Sequence, residues 1–268
     1  MRVLLLDAYN LMHRARFGFG KGDHNIVFNF FRGLRPIMEE FAPQKAYFVL
    51  EGVPKGNIEL LPEYKANRQR SPDDFHRQRK IIEQLMSDCM PIVSARHDDF
   101  ECDDVLYSIV KNWHPDDEVV VVSSDSDFIQ MYDEFENVTI WHPVKKKVVP
   151  APDYNYVEWK ALRGDQTDNI PGIKGVGDKT AEKLVRDPTL LAERLKNPEF
   201  AAQRERNLKL ISLEDLGDRM EEVSVWGGSS DWESLGDHFD AFEFRTMRKE
   251  KTWTKYVKTF ENLESNDV

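Results

Sequence analysis

The chain has 268 residues, of which 40% are hydrophobic and 32% charged, and its formal net charge is −11. Its apolar runs, such as Val3 to Leu6, are far shorter than the roughly 20 residues that span a membrane, and the run before Asp7 is too short for a secretory signal. Two cysteines exclude a disulfide framework and a cysteine-rich zinc site, so we expect a cytoplasmic protein without membrane contact. Taken alone, the acidic balance argues against a nucleic-acid partner.

The first 150 residues alternate between short β-rich runs and helical stretches, as βαβ units around a mostly parallel sheet do. Apolar residues recur at helical spacing from Ile26 to Phe41, and again from Val105 to Val110. The predicted strands are Val3–Leu6, Ala46–Leu50, Ile92–Ser94, Val119–Ser123 and Val138–Trp141. From about Tyr154 the strand signal fades, and the remainder is predicted to be mostly short helices. The pattern therefore predicts an α/β fold with a helical C-terminal region.

A long polar connection, residues 51–79, follows the second predicted strand, and connections of this length are usually functional or mobile. It contains a basic element made of Tyr64, Lys65, Arg68, Arg70, Arg77 and Arg79, followed by Lys80. For such a scattered set, a solvated charged face is the ordinary interpretation. Because the segment leaves the sheet directly after Glu51, above acidic strand ends, it instead predicts a mobile cationic clamp for a phosphate backbone.

Acidic residues stand where strands end and helices begin, which is where open α/β sheets bind ligands. Asp7, Glu51, Asp125 and Asp127 follow strands, while Glu101, Asp103, Asp104, Asp165 and Asp168 lie at predicted helix starts. Each group alone is better explained by helix capping. Together, nine carboxylates on one rim would repel each other unless cations neutralised them. Oxygen ligands without paired histidines or thiols predict two or more Mg²⁺ or Mn²⁺ ions, which suits two-metal phosphodiester hydrolysis.

Residues 173–181, IKGVGDKTA, fit the helix-hairpin-helix pattern. Gly175 and Gly177 would let backbone amides approach a phosphate, and the following helix would present its positive N-terminal end. The alternative is an ordinary turn between two helices. The fit over all nine residues favours phosphate binding, and such a hairpin holds duplex DNA without reading its bases. The candidate DNA-binding residues are Gly172, Lys174, Gly175, Gly177, Lys179, Thr180 and Lys183.

Five segments resemble, in the same order, the 5′-nuclease (flap endonuclease) superfamily, particularly phage 5′-exonucleases and the 5′-nuclease domain of bacterial DNA polymerase I. They are LLLDAYNLMHRAR, LPEYKANR, FECDDV, SSDSDF and GDQTDNIPGIKGVGDKTAEKL. The resemblance implies a PIN-like catalytic domain in residues 1–160, with a helical arch at about 52–80. It also implies a helical region in 161–268, packed with the first domain as one compact unit. A helix-three-turn-helix element would lie at about 164–186, and beyond Asp187 only a helical cap is expected.

The resemblance also implies residue roles. The first metal cluster would be Asp7, Glu101, Asp103, Asp104 and Asp125, and the second Asp127, Asp165 and Asp168, with Asp125 shared. Glu51 departs from the family's usual aspartate, and its longer side chain could reach a metal directly or through water. Lys65 would stabilise charge on the scissile phosphate with Arg68 as its partner. Tyr64 would stack on the base at the cleavage site, Arg14 would contact phosphate, and K⁺ could bind at the hairpin.

We therefore expect a stand-alone, monomeric, structure-specific 5′ nuclease that cuts DNA flaps, nicks, duplex ends or RNA–DNA primers in replication or repair. One alternative is a DNA-binding protein that has lost catalysis, and the complete carboxylate set with Lys65 and Arg68 argues against it. Another is a small PIN-type ribonuclease, against which the hairpin argues. The nine candidate carboxylates account for most of the net charge of −11, so the acidity marks a predicted metal site and no longer argues against nucleic acid.

Overall fold

The computed structural model describes residues 1–20 and 22–263, and within them seven strands form one sheet in the order β6-β5-β4-β1-β2-β3-β7. The strands are β1 Arg2–Asp7, β2 Lys45–Val49, β3 Val93–Arg96, β4 Glu118–Val122, β5 Val138–His142, β6 Lys147–Val148 and β7 Ser224–Gly227. The first five pair in parallel, while β6 and β7 pair antiparallel at the two edges. The predicted α/β fold with a mostly parallel sheet is confirmed.

Helices cover both faces of this sheet and form most of the second half of the chain. They are α1 Ala8–Ala15, α2 Asn25–Phe41, α3 Lys55–Leu60, α4 Asp73–Cys89, α5 Cys102–Trp113, α6 Tyr156–Arg163, α7 Asp178–Arg186, α8 Pro188–Leu195, α9 Pro198–Ile211, α10 Trp232–Ala241 and α11 Glu250–Lys258. Short 3₁₀ helices occur at Asp127–Asp133 and Gly217–Glu222. Among the described residues, no helix combines the length and apolarity needed to cross a membrane.

Strand β1 is apolar from Val3 to Leu6 because the core covers both of its faces. Successive side chains of a strand point to opposite faces, so Leu4 and Leu6 join one hydrophobic cluster and Val3 and Leu5 the other. Helix α2 packs on the first face, with Phe31 fully buried there, and α5 packs on the second. This two-sided burial holds the carboxyl ends of the central strands at a fixed rim of the sheet.

The C-terminal residues return to the sheet, which the sequence did not predict. Strand β7 pairs with β3, placing Trp226 opposite Ser94, and Phe239 and Tyr256 from α10 and α11 enter the same core as β1 and α2. The edge strands β6 and β7 contain only two and four residues. Runs this short carry too little alternation to be recognised by periodicity. The described segment after Asp187 is therefore mostly helical, and it contributes one strand, β7, to the sheet.

Helix α9 fixes the position of the loop between α6 and α7. Asn207 is fully buried, and its side-chain amide donates to the carbonyls of Ala161 (2.8 Å) and Pro171 (2.9 Å). The guanidinium of Arg204 donates to Glu158 of α6, with 2.7 Å between Nε and Oε1. A buried amide that satisfies two carbonyls is costly to remove, since both acceptors would be left unpaired. The second half of the chain thus presents α6, its loop and α7 in a defined orientation.

Candidate active site

Three predicted metal ligands meet at one rim because β4, β1 and β2 are neighbours in the sheet. Asp7, at the end of β1, accepts a hydrogen bond from the hydroxyl of Ser123, which follows β4, at 2.7 Å. Glu51, just beyond β2, accepts the backbone amide of Cys102 at 2.9 Å. Asp125 lies two residues beyond Ser123. The parallel topology thus places side chains from three separated segments at the same edge.

Helix α5 adds the FECDD group to this rim, with Glu101 at its N-cap and Asp103 and Asp104 in its first turn. Asp103 lines a cavity of about 390 Å³ together with Asp7, Glu51 and Asp125. Asp104 points to another side of the helix, where it accepts the backbone amide of Glu214 at 2.8 Å. Four of the predicted ligands therefore share one cavity, while Glu101 and Asp104 lie in an adjoining space.

The carboxylates at this rim are buried or half-buried, and among the described residues only Glu101 forms a salt bridge, with Lys65. Within residues 1–20 and 22–263, no lysine or arginine forms a salt bridge with Asp7, Glu51, Asp103, Asp104 or Asp125. Burial raises the pKa of Asp7 to about 6 and the pKa of Glu51 and Asp104 to about 7. The pKa of Asp103 is also raised, first by burial and then by the charge of Asp125. Buried, like-charged oxygen ligands of this kind fit hard divalent cations.

A second group is formed by Asp127, Asp165 and Asp168, whose ligand oxygens lie within 4.8 Å of one another. Asp127 begins the 3₁₀ helix after β4, whereas Asp165 and Asp168 lie in the loop that follows α6. An isolated β-bridge between Asp165 and Ile170 shapes that loop. The structure thus brings together the three residues predicted for the second metal cluster, and their separation is compact enough for one ion.

Lys160 is a functional candidate that the sequence analysis missed. Its side chain, on α6, is almost fully buried, and its ammonium contacts Asp127 Oδ1 and lies 2.6 Å from Asp165 Oδ2. Burial acts to raise the pKa of Asp165, but the charge and hydrogen bond of Lys160 outweigh it and lower that pKa. The helical spacing in the sequence could have indicated its burial, because Lys160 lies four residues after buried Tyr156 on the inward face of an amphipathic helix.

The residues predicted for the arch fold back onto the carboxylates. The ammonium of Lys65 contacts Glu101 Oε1 and lies 3.7 Å from Asp168 Oδ2, and Arg68 Nη2 lies 2.5 Å from Asp168 Oδ1. Lys65 has a left-handed backbone with φ of 56°, held by its amide hydrogen bond to the carbonyl of Asp168 at 2.9 Å. Lysine adopts this sparsely populated region at a cost, so the backbone at Lys65 is locally strained.

Tyr64 and Arg14 take positions that the sequence did not specify. The ring of Tyr64 is only 7% exposed, packs beside Leu61 and Ile170, and its hydroxyl donates to Glu101 Oε2 at 2.7 Å. Base stacking by Tyr64 stays a prediction that requires the ring to leave this cluster. Arg14 lines the cavity of the first cluster, and its Nε donates to Ser124 Oγ at 2.9 Å. Its contact with phosphate also stays a prediction.

The hairpin between α6 and α7 has two kinds of glycine. Gly175 has a φ of 80°, and a side chain added there or at Gly177 would meet nothing within 4 Å, so both glycines face open space. At Gly172, by contrast, an added Cβ would lie 1.9 Å from the carbonyl oxygen of Arg163. Gly172 is therefore needed for close packing, whereas the backbone around Gly175 and Gly177 is open to a ligand. Lys174 and Lys179 are exposed beside them.

In metal-free protein, we expect stability to fall as the pH rises from 6 to 8. The folded-state pKa values of Asp7, Glu51 and Asp104, about 6 to 7, lie above the unfolded values, so the folded chain binds more protons in this interval. The Tm in EDTA should drop by roughly 5 °C, since about 1 kcal/mol shifts the Tm of a chain this size by ~2–4 °C. Mn²⁺ should remove the drop, and Asp104→Asn should reduce it. A Tm in EDTA that rises with pH contradicts this prediction.

The sheet carries carboxylates at its carboxyl rim and lies next to a glycine hairpin between two helices. This arrangement is typical of metal-dependent nucleases, in which carboxylates hold divalent ions and backbone amides contact phosphates. Matches to protein-family models identify the family of this chain. Residues 2–160 match the N-terminal resolvase-like domain of 5′-3′ exonucleases, and residues 151–223 match their C-terminal SAM fold. The chain belongs to the 5′-3′ exonuclease family.

Curated relatives are bacterial DNA polymerases I. The thermostable DNA polymerase I of Thermus thermophilus is 32% identical over 201 residues, which cover 69% of this chain and 24% of that protein. The DNA polymerase I of Streptococcus pneumoniae is 28% identical and is aligned to 92% of this chain and 32% of its own length. The chain thus spans only about a quarter to a third of the length of these relatives.

Solved structures share the fold. A bacteriophage T5 D15 flap endonuclease, in a pseudo-enzyme-product complex with DNA and metal ions, superposes with a TM-score of 0.65 at 18% identity, covering 97% of this chain and 100% of that chain. The T5 5′-exonuclease with bound divalent metal ions (zinc) gives a TM-score of 0.64 at 21% identity, covering 80% of this chain and 90% of that one. The fold of this chain is therefore shared with these structures.

Proposed function

We propose that this chain is a structure-specific 5′ nuclease that hydrolyses phosphodiesters with two divalent ions, Mg²⁺ or Mn²⁺. The observation that supports it best is the pair of adjoining carboxylate clusters. In one, Asp7, Glu51, Asp103 and Asp125 share a cavity, and the other is compact around Asp127, Asp165 and Asp168. Asp7, Glu51, Asp103 and Asp125 would hold one ion, with Glu101 and Asp104 beside them. When bound, the ions would supply an activated water and stabilise the leaving oxygen.

The side chains above the clusters suit an anionic substrate. Lys65 and Arg68 contact Glu101 and Asp168 in this structure, and their long side chains could transfer these charge-assisted contacts to a phosphate. Arg14 lines the same cavity from α1. We propose that these three cations orient the scissile phosphate over the clusters. Residues 52–80 would then act as an arch that admits the 5′ strand, above a catalytic domain in residues 1–160.

DNA is the proposed partner, as flaps, nicks or duplex ends, with RNA–DNA primers as a further substrate class. The T5 flap endonuclease was solved with DNA, and the catalytic core of Rad2 was solved with a DNA substrate. The open backbone at Gly175 and Gly177, with exposed Lys174 and Lys179, would hold the duplex phosphates. K⁺ at the hairpin, a monomeric state and a cytoplasmic location stay predictions.

A product-size assay tests the proposed function. Flap, nicked and RNA-primed substrates labelled at the 5′ end would be incubated with Mg²⁺, with Mn²⁺ and with EDTA. We expect metal-dependent release of short 5′ fragments, because unpairing terminal nucleotides costs only a few kcal/mol at ends and junctions. Intact flap with either metal, together with tight junction binding, would instead support a binding protein that lacks catalysis.

Gly177→Val tests the role of the hairpin with little effect on folding. Gly177 has an ordinary φ of −97°, and nothing lies within 4 Å of an added Cβ, so the protein should fold normally. The added side chain would block the approach of phosphate to the backbone amides, so we expect duplex affinity to fall roughly tenfold, equivalent to about 1.4 kcal/mol. Fluorescence anisotropy with a labelled duplex measures this. Gly33→Val on α2, another open glycine, is the control, and equal affinity of both variants would refute anchoring by the hairpin.

A further inference from the structure

We infer that the ammonium of Lys160 is a built-in cation of the second carboxylate cluster and weakens the binding of a divalent ion to Asp127 and Asp165. This role rests on the proposed function, because it concerns the two ions of the proposed nuclease. Lys160 would make the two metal positions unequal in the free protein. The first cluster would bind its ion tightly, and the second would bind its ion tightly only when an anionic substrate is present.

The two clusters differ in how their charge is balanced. Each carboxylate of the second cluster already has a cationic partner, since Lys160 serves Asp127 and Asp165 and Arg68 serves Asp168. In the first cluster, the only salt bridge among the described residues joins Lys65 to Glu101. The negative charge of the first cluster is therefore left for an added cation to neutralise. In the second cluster, lysine and arginine side chains of the protein already neutralise it.

The cations of the second cluster differ in their freedom to move. Arg68 lies in the loop between α3 and α4, and 43% of its side chain is exposed, so it can move away toward solvent. Lys160 is 5% exposed on α6, a helix that is tied to α9 by the ion pair between Glu158 and Arg204 and by the buried amide of Asn207. Lys160 therefore stays beside the carboxylates while an arch residue can leave.

A divalent ion that enters beside Lys160 meets a fixed positive charge in a buried, weakly screened position. Oxygen lone pairs of Asp127 and Asp165 are already engaged by the ammonium, at 2.6 Å for Asp165. Like charges a few Å apart repel strongly where solvent is excluded. A phosphodiester placed over the clusters adds negative charge and offsets this repulsion. The second ion should therefore bind together with substrate, which couples complete metal loading to occupancy by DNA.

The test measures Mn²⁺ binding to the free protein from the electron paramagnetic resonance signal of unbound Mn²⁺. We expect the unsubstituted chain to bind one ion tightly and a second weakly. Lys160→Met should strengthen the second ion by about tenfold or more, whereas Lys160→Arg, which keeps the charge, should resemble the unsubstituted chain. Lys209→Met is the matched control, because it removes an exposed lysine of α9 that pairs only with Glu205 among the described residues.

Thermal unfolding gives a second readout that does not require activity. In EDTA, Lys160→Met should lower the Tm because two buried carboxylates lose their cation, and Mn²⁺ should restore it. If Lys160→Met fails to fold, Lys160→Gln replaces it as the variant that lacks the positive charge. Equal affinity for the second ion in all variants, or loss of that ion in Lys160→Met, would overturn the inference and leave the nuclease proposal standing. Failure of the unsubstituted chain to bind any ion would instead overturn the nuclease proposal.

Discussion

Replacing Asp125 by asparagine should abolish cleavage of a 5′-labelled flap in Mg²⁺ while leaving junction binding largely intact. Asp125 lines the cavity of the first cluster and also the cavity shared by Asp127, Asp165 and Asp168, so it is the carboxylate best placed to serve both ions. Asparagine keeps the shape but removes the charge that a hard cation requires. We expect the single-turnover rate to fall at least about a thousandfold, or roughly 4 kcal/mol in the barrier.

Two measurements make the Asp125 prediction specific. Affinity for the junction in EDTA should change less than about threefold, because the proposed hairpin contact does not involve this side chain. Asp237→Asn, which removes an exposed carboxylate of α10, should cleave at the unsubstituted rate. If Asp125→Asn turned over normally in Mg²⁺, the assignment of Asp125 to the metal site would be wrong.

Replacing Lys65 by alanine should reduce the single-turnover rate far more than it reduces affinity. The ammonium of Lys65 reaches Glu101 and Asp168, which lie in the two adjoining clusters, so it can stabilise negative charge that develops on a phosphate held between them. Removing one preorganised donor of this kind typically costs about 10²–10³ in rate. We expect a loss of about a hundredfold at saturating enzyme, with duplex affinity changed by less than about threefold.

The Lys65 prediction needs a control for general loss of positive charge. Lys251→Ala removes an exposed lysine from α11 and should leave both rate and affinity unchanged. Comparison of the rate at saturating enzyme with the binding isotherm separates the two effects. A drop in affinity at an unchanged single-turnover rate would identify Lys65 as a simple phosphate tether without a role in the chemical step.

The sheet and its acidic rim were predictable because their signals are local in the sequence. Strand β4 contains a continuous apolar run because both of its faces are covered, and Asp125 lies three residues after its last residue, Val122. In a parallel sheet, the carboxyl ends of neighbouring strands meet at one edge, so the sequence alone could place Asp7 and Glu51 near Asp125. The hairpin was predictable for a similar reason, because glycines at fixed spacing indicate a tight backbone turn that other residues rarely adopt.

Lys160 could not be placed from the sequence. It lies 33 residues from Asp127 along the chain, and the two meet only because α6 packs near the 3₁₀ helix that follows β4. Periodicity marks Lys160 as facing inward but does not say what it faces. The predicted neutralisation of the carboxylates by metal ions was therefore incomplete, since the protein supplies part of the positive charge from a remote helix.

The sequence by itself determined the α/β class, the five parallel strands and the positions of the candidate ligands, because each depends on residues close together in the chain. Only the tertiary structure decided that Tyr64 is buried against Glu101, that Asn207 braces the hairpin loop and that β7 closes the sheet edge. These contacts join residues far apart in the chain, and burial and pairing across such distances follow from how whole elements pack. Local propensity and spacing contain no information on that packing.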